Sequence, residues 1–189
     1  MSPEFASRPI RFLDSPHHNA RPAGTAIDLI VLHAISLPPG EFGMRAVEDL
    51  FLGRLDAAAH PAFTALQGVH VSAHFVVDRS GSITQFVPVA RRAWHAGEST
   101  WQGRPDCNDY AIGIEMLGDE RRPFTARQYT ETARLCRMLM QGLPGITGTR
   151  IVGHSDVAPG RKWDPGRQWD WARFHRSLGR VRRLDLAWA

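Results

Sequence analysis

Two short apolar runs, "DLIVLH" at 28–33 and "RIVGH" at 150–154, each end in a histidine immediately before a loop. Runs this short, rich in branched residues and bounded by turn signals, read as buried strands. Each would deliver a polar side chain at the end of a sheet, where sites assemble on a rigid scaffold. A third run, "YAIGIEML" at 110–117, reads as a strand with a single acid, Glu115, inside it. "SAHFVVDRSGSITQFVP" at 72–88 has two alternating segments about "DRSGS" and predicts a hairpin.

Helical spacing separates these strands. "AVEDLFLGRL" at 46–55 packs through Val47, Leu50 and Phe51. Thr125 and Gln128 form a capping box opening a helix over 126–141. Tyr129, Ala133, Cys136 and Met140 repeat on its inner face, and "GLPG" ends it. Asp170 caps a last helix with Trp171, Phe174 and Leu178 on its apolar side. Strands alternating with helices, without repeats, predict an α/β fold: one domain with a mixed central sheet flanked by helices. Residues 1–26 read as an extended lead-in to the same domain, 27–180 as the domain proper and 181–189 as a tail.

The 189 residues suffice for one core without disulfide or metal staples. The net charge of +4 rests almost wholly on arginine. No basic run interleaved with aromatics suggests a nucleic-acid groove, and "RFHRSLGRVRR" reads as the solvated face of a terminal helix. Cys107 and Cys136 offer neither a disulfide framework nor a thiolate zinc site. With no secretory h-region and no run near the roughly 18 apolar residues of a membrane span, a reduced, cytoplasmic, monomeric protein is expected.

His33 and His154, with Asp164 in a Pro-Gly turn, make an N,N,O donor set. Zinc accepts such a set and keeps a fourth position for water, whose pKa it lowers. The site then needs a base and a cation for the developing oxyanion. Glu115 is either that base or a solvent-facing residue of an edge strand. Lys162, the only lysine beside 22 arginines, lies two residues from Asp164. Its ammonium is a compact point charge, unlike a planar guanidinium. His17, His18, His60 and His175 read as surface or loop residues, and His74 as structural.

"LHAISLPPGEFG", "VSAHFVV", "RAWHAG", "GRPDCNDYAIGIE", "GHSDVAPGRKWDPG" and "DWARF" follow one another along the chain. In that order they resemble the AmpD family of 1,6-anhydro-N-acetylmuramyl-L-alanine amidases, over about Ser15 to Phe174. The resemblance implies the amidase-2 fold shared with peptidoglycan recognition proteins. It implies one zinc ion on His33, His154 and Asp164, with Glu115 and Lys162 catalytic. It implies a muropeptide substrate, cleaved between the lactyl group of anhydro-muramic acid and L-alanine during cell-wall recycling. Trp94, His95, Arg104 and Asn108 fall where substrate contacts are implied, although His95 reads equally as a hydrogen-bonded structural residue.

The sequence also departs from that pattern. Ala34 stands where Asn is usual, His70 and Asp106 where basic residues are usual, and Ser155 and Trp163 beside ligands where Cys and Thr are commoner. A non-catalytic peptidoglycan-binding module on the same fold is the alternative. Such a module should have lost a ligand or the base, and all five residues are present here.

Overall fold

The computed structural model describes residues 9–180. Its strands are β1 (Arg11–Phe12), β2 (His18–Ala20), β3 (Leu29–Ile35), β4 (Phe75–Val77), β5 (Ile83–Gln85), β6 (Arg91–Ala93), β7 (Thr100–Trp101), β8 (Arg104–Pro105), β9 (Ala111–Leu117) and β10 (Ile151–Gly153). Its helices are α1 (Met44–Phe51), α2 (Ala126–Gly142), α3 (His154–Val157) and α4 (Trp171–Arg180). Six strands form a mixed sheet in the order β1-β5-β4-β9-β3-β10, as the alternation of strands and helices predicts. β4, β9, β3 and β10 run parallel, and β5 returns antiparallel to β4 through the 78–82 turn.

Central parallel strands are covered on both faces, which is why β3 and β9 are almost continuously apolar. Their side chains alternate between two environments. Ile30, Leu32, Ile112, Ile114 and Met116 face one way and share a core with Tyr129, Ala133, Cys136 and Leu139 of α2 and Phe174 and Leu178 of α4. The reciprocal capping box of Thr125 and Gln128 starts α2 where the sequence places it. Asp170 Oδ1 accepts from the Arg173 amide at the start of α4.

The other face is not one core but two. Leu29, Val31 and Ala111 pack with Ala96, Cys107, Tyr110, Val152 and Val157. Val76 and Leu117 pack with Val47, Leu50 and Phe51 of α1. Between these clusters the same face presents His33 on β3, Gly113 and Glu115 on β9, and His74 just before β4. Register confirms the grouping: His33 pairs with Glu115, and Glu115 with Val76. A strip of polar side chains therefore lies between two apolar clusters.

Three details differ from the reading of the sequence. His154 does not end β10; it opens the short helix α3, whose start is set by Asp156 accepting from the Gly153 amide at 2.7 Å. The described part of the lead-in, residues 9–26, holds two strands, of which β1 adds an edge to the sheet beside β5 and β2 pairs with β6. His17 is buried rather than at the surface, with Nδ1 3.0 Å from the Val71 carbonyl oxygen. The tail 181–189 lies outside the described residues.

Candidate metal centre

His33, His154 and Asp164 are all buried, and each directs one donor atom to a common point. His33 Nδ1 lies 2.9 Å from His154 Nδ1 and 3.2 Å from Asp164 Oδ2, and His154 Nδ1 lies 3.0 Å from the same carboxylate oxygen. Donors about 2.0–2.1 Å from one ion at tetrahedral angles stand about 3.3 Å apart. The three atoms approach that spacing although they come from β3, α3 and the loop before α4.

The outer nitrogens show why the inner ones suit a cation. His154 Nε2 donates to the Ala96 carbonyl at 3.0 Å, which leaves Nδ1 with its lone pair. His33 Nε2 lies 3.0 Å from His95 Nδ1, and the tautomer that donates there leaves its Nδ1 in the same state. Two lone pairs then face each other beside a carboxylate, an arrangement that a divalent cation relieves. Burial, only partly offset by the hydrogen bond to Asp164, pushes His33 down to about 4, so it is neutral and ligand-ready at pH 7. Burial would raise Asp164, but the close contacts of its Oδ2 with the imidazoles of His154 and His33 outweigh it and hold the carboxyl below its ordinary range. The donor set is thus N,N,O⁻, a set that zinc accepts.

Glu115 sits beside this set. Burial first, and the nearby Asp164 carboxylate second, raise its pKa well above the ordinary value, against the opposing field of Lys162. Its Oε2 is buried with no hydrogen-bond partner among the described residues. The edge-strand alternative is thereby closed, because β9 is central and pairs on both sides. Lys162 is exposed, its amide donating to Ala158 O at 3.0 Å, and its charge acts on both His33 and Glu115.

The four remaining candidates separate. Trp94 is half-buried, its indole N–H donating to Asn19 Oδ1 at 3.1 Å, beside the stacked rings of His17 and His70. His95 packs edge-on to His33 and behind it to His74. Asn108 is buried, and its Oδ1 accepts from the amides of His95 and Ala96, which fixes the turn behind both ligand histidines. Arg104 is engaged away from the centre: its guanidinium pairs with Asp28 at 2.7 Å and lies over the Tyr110 ring.

Two contributors escape the reading of motifs. The Ala96 carbonyl orients His154 and also accepts from Arg161 at 2.6 Å. A backbone acceptor has no signature in sequence. Gly113 leaves room for His95, since an added Cβ would overlap its ring. That signal was present, because a glycine inside a strand marks a close approach. His74 is structural, as read: Nδ1 accepts from the Gly113 amide and Nε2 donates to Arg91 O, both at 3.0 Å.

The chain is similar to known amidases in sequence and in fold. The family model described as N-acetylmuramoyl-L-alanine amidase matches residues 23–167. The 1,6-anhydro-N-acetylmuramyl-L-alanine amidase AmpD of Haemophilus influenzae is 48% identical over 168 residues, which are 89% of this chain and 91% of that protein. A crystal structure of an AmpD selenomethionine derivative superposes with a TM-score of 0.87 at 44% identity, covering 89% of this chain and 94% of the other. AmpDh3 from Pseudomonas aeruginosa, solved in complex with anhydromuramic pentapeptide, is 28% identical with a TM-score of 0.59 over 82% of this chain and 61% of its own. The chain belongs to the N-acetylmuramoyl-L-alanine amidase family, among its AmpD members.

Proposed function

We propose that this protein is a zinc-dependent amidase that cleaves the bond between the lactyl group of anhydro-N-acetylmuramic acid and L-alanine of the stem peptide. The observation that carries the reading is the convergence of two imidazole nitrogens and a carboxylate oxygen beside Glu115, whose Oε2 is buried without a hydrogen-bond partner among the described residues. The names of the AmpD relatives support the substrate class. Recycling of peptidoglycan fragments in the cytoplasm is the setting that follows from that substrate. No helix among the described residues is long and apolar enough to cross a membrane.

His33, His154 and Asp164 would hold the zinc. The ion, when bound, supplies a Lewis acid for the scissile carbonyl and lowers the pKa of water. Glu115 takes the proton of the attacking water as its hydroxyl adds to the carbonyl carbon, and returns that proton to the leaving amine as the C–N bond breaks. A carboxylate with a raised pKa suits both halves of this task. Lys162 stabilises the negative charge that develops on the carbonyl oxygen. The products are the free carboxylate of the lactyl group and the free amino terminus of the peptide.

The test is incubation of the zinc-loaded protein with anhydro-muramyl-tripeptide, followed by mass spectrometry. Release of the tripeptide, lost on chelation and restored by zinc, is the expected result. Intact substrate in the presence of one bound zinc per chain would overturn the reading.

A further inference from the structure

Trp163 stands between Lys162 and Asp164, yet it is 43% exposed, one of three large apolar side chains so exposed among the described residues. Its ring is not loose. It lies over Gly166, where an added Cβ would come within 2.8 Å of Trp163 Cε3, and Gly166 itself has a φ of +79°, which favours glycine. Backbone therefore supports the indole from one side, and a cavity of about 270 Å³ adjoins it, lined also by Ser36, Pro39, Gly40, Asp119, Glu120 and Arg121. Ser36 and Asp119 follow the carboxyl ends of β3 and β9, the two strands that carry His33 and Glu115. The cavity therefore lies at the carboxyl-terminal end of the strands that carry His33 and Glu115.

Its walls are tied in place. Gly40 N donates to Ser36 Oγ at 3.1 Å, and Arg122 donates to Gly40 O at 2.7 Å. Asp119 Oδ1 accepts from the amides of Arg121 and Arg122 at 2.9 and 2.7 Å. Phe42 lies under the guanidinium groups of both Arg79 and Arg122. A volume below the roughly 300–1,000 Å³ of drug-sized pockets suits a single ring rather than a whole muropeptide.

We infer that Trp163 and this cavity form a saccharide subsite that binds the pyranose ring of the amide's sugar moiety. The inference rests on the amidase reading above for the identity of the sugar. A pyranose presents a face of weakly positive C–H groups that matches the negative face of an indole. Its hydroxyl and N-acetyl N–H groups donate to carboxylates such as Asp119 and Glu120, while Arg121 serves their acceptors. The other half of the substrate does not suit the cavity: a stem peptide carries carboxylates of its own, and two acids against one guanidinium repel them. The sugar half is neutral and meets no such cost.

The test uses the zinc-loaded Glu115→Ala protein, which binds without turnover, and calorimetric titration with three probes. These are anhydro-muramyl-tripeptide, the lactyl amide of 1,6-anhydro-N-acetylmuramic acid, which is neutral as the sugar half is in the substrate, and the lactyl-tripeptide that lacks the ring. Trp163→Ala in this background weakens binding of the two ring-bearing probes on the order of tenfold, the scale of a truncated aromatic anchor, and Trp163→Phe recovers most of the loss. Equal weakening of the ring-free lactyl-tripeptide would assign Trp163 to the peptide and overturn the proposal, as would undiminished sugar binding by Trp163→Ala. Turnover by the wild-type protein is read separately. Sugar binding that depends on Trp163, without any cleavage, would remove the amidase reading and support the saccharide site.

Discussion

The two faces of the central sheet are built from alternate residues of the same strands, and they do different work. Under α2 and α4 the strands contribute Ile30, Leu32, Ile112, Ile114 and Met116 to one unbroken apolar core. On the opposite face Leu29, Val31 and Ala111 belong to one cluster and Val76 and Leu117 to another, with His33, His74, Gly113 and Glu115 between them. The first face is organised by burial of apolar area. The second places a raised-pKa carboxylate and a neutral imidazole where apolar packing would be more favourable. The stability of the first is what allows the second to be held in an unfavourable state.

Removing the base gives the largest effect on this contrast. Glu115→Ala should lower kcat by about 10²- to 10⁴-fold, the usual contribution of a positioned general base, while zinc content measured by atomic absorption stays at one per chain. Retained turnover would show that the polar face does not depend on its carboxylate. Leu139→Ala tests the other face. It removes a fully buried side chain of α2 and should cost about 2–5 kcal/mol in denaturant unfolding. The folded fraction should still bind zinc with wild-type affinity. A loss of zinc affinity in that variant would mean that the two faces are not separable.

His95→Ala should lower zinc affinity by about 10- to 100-fold in competition with a chelator, because the partner of His33 Nε2 is lost. Unchanged affinity would make His95 a packing residue alone. The smallest effect is a pH-dependent one in the metal-free protein. The folded state keeps Glu115 protonated to a higher pH than the unfolded chain does, so folding favours the protonated form. The stability this gives is present in full below the unfolded pKa of roughly 4.3 and is lost as pH rises through the folded pKa. Glu115→Gln lacks that loss. Its stability relative to wild type should therefore increase between pH 4 and pH 8, and a parallel pair of curves would contradict the buried-carboxylate account.

The apolar face was the more legible in sequence. Period and capping chemistry place α2 within a residue of its ends, and the branched runs place β3 and β9, because those signals are local. Leu135 and Leu139 of the α2 core lie outside the four-residue stripe read from the sequence, since a helix between a sheet and a second helix buries a wider arc. On the polar face the identities of His33, His154, Asp164 and Glu115 were legible as polar residues in unusual contexts. What was not legible is which nitrogen each histidine presents, since that is set by the Ala96 carbonyl and the His95 ring, distant in sequence. Arg104 illustrates the same limit, because its partner Asp28 lies 76 residues away.

The central claim is that the polar face is organised around one metal ion held through Nδ1 of both histidines. Anomalous diffraction at the zinc edge, on crystals of the zinc-loaded protein, measures this directly. The account predicts a single peak about 2.0–2.1 Å from His33 Nδ1 and His154 Nδ1, with Asp164 Oδ2 as the third protein ligand. Zinc bound through Nε2 of either histidine, or a peak away from these three residues, would contradict it.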